Sequence, residues 1–276
     1  MSTFEQGIGT GATIHDLQIR LKEEEKKRRK LEEENAELYR LLRQIGQISP
    51  LNIPAIKQYL RTPDSRSIYG LQQITGKQRF CQLILQGNPG NQLMVNALQD
   101  QEPPDDALKL SLCSLKQVLD LSQPQVFMTL SIDGKAFTTL HIALTCTPRR
   151  TEQMLGLCSA AGGHTWQGAS LDTIYSKGEP GERVGCWSYI TEDGERSSKG
   201  LVRHQENTGC NKPPSRGMVY GYRGDYAGFF ICTRGDIAVY SWPPLGEVLS
   251  GMDELCAAVD LHDVSQITIS KTGLIC

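Results

Sequence analysis

Val126-Phe127-Met128-Thr129-Leu130-Ser131-Ile132-Asp133-Gly134-Lys135-Ala136-Phe137-Thr138-Thr139-Leu140-His141-Ile142-Ala143-Leu144 is the stretch that decides the fold. Two runs rich in β-branched, aromatic and aliphatic residues flank an Asp-Gly pair, and such a pair supplies the positive φ angles of a type I′ turn. The reading is a hairpin from Val126–Ile132 to Lys135–Cys146.

The same punctuation repeats outward from this hairpin. Phe80–Leu85 and Leu93–Leu98 flank Gly87-Asn88-Pro89-Gly90-Asn91, a second hairpin. Leu108, Leu110 and Leu112 alternate with polar residues, the period of a half-buried strand. Trp187–Thr191 and Arg196–Val202 flank Glu192-Asp193-Gly194, and Met218–Tyr222, Tyr226–Cys232 and Ile237–Trp242 read as a meander closed by Pro243-Pro244. Thr151–Ser159 and Glu247–Val259 read as helices, and Gln266–Ser270 as a last strand. Short strands with few helices favour an antiparallel arrangement over a parallel α/β fold. The expected fold class is therefore α+β, predominantly β: an N-terminal parallel coiled coil, then an antiparallel β-rich sandwich or barrel-like domain with two or three helices.

Residues 13–46 carry the coiled-coil signal. With Ile14 at a, the later a positions are Leu21, Arg28, Asn35 and Leu42; the d positions are Leu17, Glu24, Leu31, Leu38 and Ile45. Seven of these ten seam positions are apolar, as a heptad requires. Asn35 at a favours a parallel, in-register pair, and Arg20 with Glu25 and Lys27 with Glu32 match in sign as g–e′ partners. The oligomerisation set is thus Ile14, Leu17, Leu21, Leu31, Asn35, Leu38, Leu42 and Ile45, with a dimer expected first and a trimer or tetramer if the body also self-associates. The run Lys26–Lys30 sits inside the heptad, and residues 1–46 hold nine basic and nine acidic side chains. That balance favours a solvated helix face over a DNA-contacting basic region. The organisation expected is a flexible tail over 1–12, the coiled coil over 13–46, a linker with a short helix at Ile56–Leu60 over 47–75, and a β-rich globular domain over 76–276.

Composition restricts function. The 276 residues carry 29 basic and 31 acidic side chains, a formal charge of -2, with 39% hydrophobic residues. The near-neutral balance argues against a wholly basic nucleic-acid binder and leaves room for a local basic face, and no apolar run reaches the length of a membrane span, so an integral membrane protein is not expected. Nine scattered cysteines without C-x-x-C spacing and no secretory leader suggest a reducing setting, cytoplasmic or otherwise intracellular. Phosphate-loop, dinucleotide, H-E-x-x-H and G-x-S-x-G patterns are absent; no cofactor, metal or catalytic residue is assigned. Cys158 or Cys186 with His164 or His204 forms a conceivable nucleophile pair, outweighed by buried structural cysteines. The spacing of His164, Cys186, His204 and Cys210 matches no zinc module, and the two Arg-Gly-Asp triplets read as turns.

The most basic stretch is 196–216, where Arg196, Lys199, Arg203, His204, Lys212 and Arg216 face one acid, Glu206. Trp187, Tyr189, Tyr220 and Tyr222 lie in the flanking strands, and cations beside aromatics suit RNA or another anionic partner. A coiled-coil stem before a β-rich body resembles, in outline, many viral assembly and non-structural proteins. The expectation is a homo-oligomeric, non-enzymatic scaffold or binding protein acting through avidity, with an oligomeric RNA-binding protein and a cysteine-dependent enzyme as alternatives.

Overall fold

A computed structural model describes residues 19–30, 33, 53–62, 65–74, 76–86, 92–111, 123–144, 148–202, 215–222, 224–235 and 244–276. At its centre stands the expected hairpin. β5 (Gln125–Ile132) and β6 (Lys135–Leu144) pair antiparallel from Gln125↔Ala143 to Ile132↔Lys135. Asp133 and Gly134 take φ angles of 51° and 74°, the two consecutive positive values that the turn demands.

The first part of the sheet is built from β1 (Ile68–Ile74), β2 (Lys77–Gln86), β3 (Gln92–Asn96) and β4 (Leu108–Ser111). Later strands are β7 (Thr173–Tyr175), β8 (Arg183–Cys186), β9 (Tyr189–Ile190), β10 (Arg196–Ser197), β11 (Met218–Gly221), β12 (Phe229–Cys232), β13 (Pro244–Ser250) and β14 (Ile267–Ile275). Twelve of them form one sheet in the order β4-β1-β2-β3-β14-β5-β6-β13-β11-β12-β8-β7, while β9 and β10 pair separately. The protein is thus β-rich, with a large mixed sheet and a minority of helix. It is mixed rather than all antiparallel because β1 runs parallel to β4.

β14 is the hub. One of its edges pairs with β5 along its whole length. The other is divided: Gly273–Ile275 pair with β3, and Ile267–Ile269 bond the segment 168–171 that leads into β7. Gly168 N–H donates to the Ile269 carbonyl at 2.7 Å, Ile269 N–H to that of Ala169 at 2.8 Å, and Leu171 N–H to that of Ile267 at 2.8 Å, around the antiparallel bridge Ser170↔Thr268. Followed through β5, β6, β13, β11, β12, β8 and β7, the hydrogen-bond ladder therefore returns to β14. Val126, Met128, Leu130, Leu140, Ile142, Val184, Val219, Phe229, Ile231, Ile267 and Ile269 join one buried cluster, the alternate-residue inner face of these strands.

Three α-helices are named here: α1 (Ile53–Leu60), α2 (Pro148–Ser159) and α3 (Met252–Leu261). α2 begins three residues earlier than the apolar pattern suggests because Pro148 suits a first helical turn, where its missing N–H costs nothing. Its Met154, Leu157 and Cys158 enter the core, and its end is fixed to β14 by a bond from Thr272 Oγ1 to the Cys158 carbonyl at 2.8 Å. Ala55, Ile56 and Tyr59 of α1 enter the same cluster.

Several expectations change. The helix expected over Glu247–Val259 is a strand to Ser250 and a helix only from Met252. Glu247 has backbone partners on both sides, Ala143 and Met218, and Gly251 at φ 90° breaks the chain between strand and helix. Pro244 opens β13 instead of closing the meander, so β11 lies between β12 and β13; the expected strand Ile237–Trp242 falls outside the described residues. Residues 47–75 hold β1 as well as a helix, because Ile68 and Leu71 find partners on both β2 and β4. Residues 19–30 and 33 are helical, with 19–30 exposed throughout; of the seam set only Leu21 is among them. Ile14, Leu17, Leu31, Asn35, Leu38, Leu42 and Ile45 lie outside the described residues. Among the described residues no helix is long and apolar enough to cross a membrane.

Candidate binding surface

On the sheet face opposite the core, alternating residues of β11 and β12, with Tyr222 just past β11 and Trp187 just past β8, make a second cluster. Tyr220, Tyr222, Phe230 and Cys232 are its buried members, with Trp187 and Met218 packed against it. Tyr220 stacks on Phe230 at 5.3 Å, Tyr222 meets Phe230 edge-on at 5.8 Å, and Trp187 meets Tyr222 edge-on at 4.4 Å. Trp187 then leads to Tyr226, 4.9 Å away and 43% exposed. The Arg183 guanidinium lies 4.4 Å from the Tyr175 ring centroid and 5.5 Å from that of Phe230, sandwiched where a cation gains from the ring quadrupoles.

Two glycines make the floor of this face. A Cβ on Gly228 would stand 2.8 Å from both the Cys186 carbonyl and Tyr222 Cδ2, and one on Gly185 would stand 3.0 Å from the Tyr222 hydroxyl. Only a bare backbone lets the Tyr222 ring lie this close. Burial first, and then the neighbouring Tyr175, push the Tyr222 phenol well above its ordinary range, so it stays neutral.

The rim is held from below by α2. Arg150 donates to the Tyr222 carbonyl at 3.0 Å. Gln153 donates to the Tyr226 carbonyl at 3.4 Å and accepts from Leu201 N–H at 2.9 Å. Both side chains are buried, so one helix turn fixes the backbone at Tyr222, Tyr226 and Leu201 together. Gly200 N–H donates to the Asp225 carbonyl at 2.7 Å, and Lys199 bridges antiparallel to Tyr226. An exposed cation is thereby placed beside an exposed aromatic ring.

The six residues singled out as an anion site separate. Lys199 stands at the aromatic rim. Arg196 is exposed on β10 and donates to Ser170 Oγ at 3.4 Å. Arg216 is bound instead to α3, donating to Asp253 and, at 3.6 Å, to Cys256 Sγ; its charge is already matched. Arg203, His204 and Lys212 lie outside the described residues. Of the flanking aromatics, Trp187, Tyr220 and Tyr222 share the patch, whereas Tyr189 is buried against His164.

Arg183, Tyr175, Tyr226, Phe230, Arg150 and Gln153 went unnoticed in the sequence. A single arginine opening the apolar run Arg183–Cys186 was the available signal. The thiols of Cys158 and Cys186 are pushed far above their ordinary range, first of all by burial, and Cys186 Sγ donates to the Ser188 carbonyl at 3.2 Å. A thiol held neutral in this way is a poor nucleophile. Among the described residues, no group of three His, Cys, Asp or Glu side chains could hold a metal ion.

No family model matches the chain, and no curated protein matches it. Among solved structures it is similar to the Mimivirus cyclophilin, at 14% identity and a TM-score of 0.40, over 55% of this chain and 89% of that one. Both values are too low to carry function or residue roles across.

Proposed function

We propose that the chain is a homo-oligomeric, non-enzymatic binding or scaffold protein: a helical stem gathers copies, and each barrel-like body offers the Trp187–Tyr226 surface. The observation that carries the reading is the state of residues 19–30. They are helical yet exposed throughout, with Leu21 at 62% exposure, while the body fills its core from its own strands and helices. An apolar heptad position left in water finds its burial in another chain. Several copies of one modest surface then act together by raising the effective concentration at a multivalent ligand.

Light scattering on the full chain and on Asn35→Leu tests the assembly. Asn35 favours the two-stranded state, so the variant is expected to change the assembly's mass. A mass of one chain for both proteins would overturn the reading.

Lys199 beside Tyr226, with Arg196 on the adjoining strand, supports a second reading in which the ligand is single-stranded RNA. A labelled oligouridine probe should then bind with an affinity that falls as salt rises, and Lys199→Glu should weaken it by about tenfold. No binding of the probe, or binding indifferent to Lys199→Glu, removes RNA as the ligand of this surface.

A further inference from the structure

The outer face of β1 and β2 bears an apolar pair, Leu71 opposite Phe80 in the register of the two strands. Across from it runs the helical segment 19–30, and the two enclose a groove of about 640 Å³. The helix wall of that groove is formed by Leu21, Glu24, Glu25, Lys27, Arg28 and Lys30. In the heptad these occupy a, d, e, g, a and c, so five of the six belong to the seam or its e and g flanks, and Leu21 remains 62% exposed. One turn of helix, with a diameter of 10–12 Å and a 5.4 Å pitch, displaces on the order of 500 Å³. The groove therefore has room for about one turn.

We infer that this groove receives the helical segment of a second copy of the chain, so that the partner helix packs against the seam on one side and against Leu71 and Phe80 on the other. The charges suit that occupant. In a parallel pair the hole around each d residue is made by the a, d, e and next a residues of the facing helix; Glu24 thus meets Leu21, Glu24, Glu25 and Arg28 of the second copy. Arg28 offsets the clustered acids, and Glu25 of the second copy reaches Arg20. Leu71 adds apolar burial where Glu24 and Arg28 make the seam weakest. The body is then part of the assembly interface and the stem is not a free tether.

The inference rests on the oligomeric reading above, and sedimentation velocity on dilution series of the full chain separates the two. Leu71→Arg should weaken self-association by about tenfold or more, as loss of a buried interface anchor does, with the melting transition retained. Gln73→Trp, at an exposed position on the same wall, should obstruct the groove with the same effect and without touching the core. Leu249→Arg, 56% exposed on β13, should associate like the wild type. Wild-type association by both folded groove variants, with loss of association in Leu21→Glu, would overturn the groove and leave the oligomer standing. A wild-type chain that stays monomeric throughout would overturn both.

Discussion

Gln153 shows how single residues set the candidate surface. Its amide serves Leu201 N–H and the Tyr226 carbonyl at once, so Gln153→Ala leaves two backbone groups without their partner. A cost of about 1–3 kcal/mol is expected, read by denaturant unfolding, together with a shift in Trp187 emission as Tyr226 loosens. Unchanged emission would mean that the loops hold themselves. Nothing in the run Thr151–Ser159 marks Gln153 as different from a solvent-facing polar residue, because its partners lie 48 and 73 residues away. Trp187 and Tyr222, by contrast, were legible as aromatics flanking a basic stretch. His141 carries a pH dependence: burial on β6 lowers its pKa below the usual 6.5. The unfolded chain then binds the proton more readily, so this contribution to stability is present above pH 6.5 and lost as the pH falls through the depressed value. Melting temperatures measured from above to below pH 6.5 should fall less steeply for His141→Gln than for the wild type; parallel slopes would assign the acid loss to other groups.

Among the elements, glycine position separates what sequence patterns confuse. Leu245, Val248, Leu255 and Val259 are all buried apolar residues, and their spacing extends a helical pattern backwards into β13. The break is Gly251, at φ 90° and with an added Cβ 2.7 Å from the Thr139 carbonyl. Gly251→Ala should cost about 2 kcal/mol or more. Gly156, inside α2 and with nothing within 4 Å of an added Cβ, should behave oppositely: Gly156→Ala should stabilise by about 0.5–1 kcal/mol. Thermal unfolding of the two variants checks both signs, and equal effects would contradict the distinction. The hairpins of β2–β3 and β5–β6 were readable because their turns carry the chemistry of tight reversal. β7 and β8 were not, since three- and four-residue strands leave too few alternations to count.

For the whole molecule, the decisive feature is closure of the ladder on β14 through residues 168–171. These residues, Gly168-Ala169-Ser170-Leu171, offer little strand propensity, and what joins them to β14 is backbone hydrogen bonding, so their role could emerge only with β14 in place. The predominance of β structure was legible; the mixed sheet was not, because β1 and β4 are parallel strands separated by β2 and β3. A body complete in its own core, joined to an exposed charge-patterned helix, directs the account to self-assembly. Sedimentation equilibrium of the full chain, compared with Leu21→Glu, tests it most directly. The mass expected is that of at least two 30.6 kDa chains, falling toward one in the variant. A 30.6 kDa species for the wild type at every concentration would contradict it.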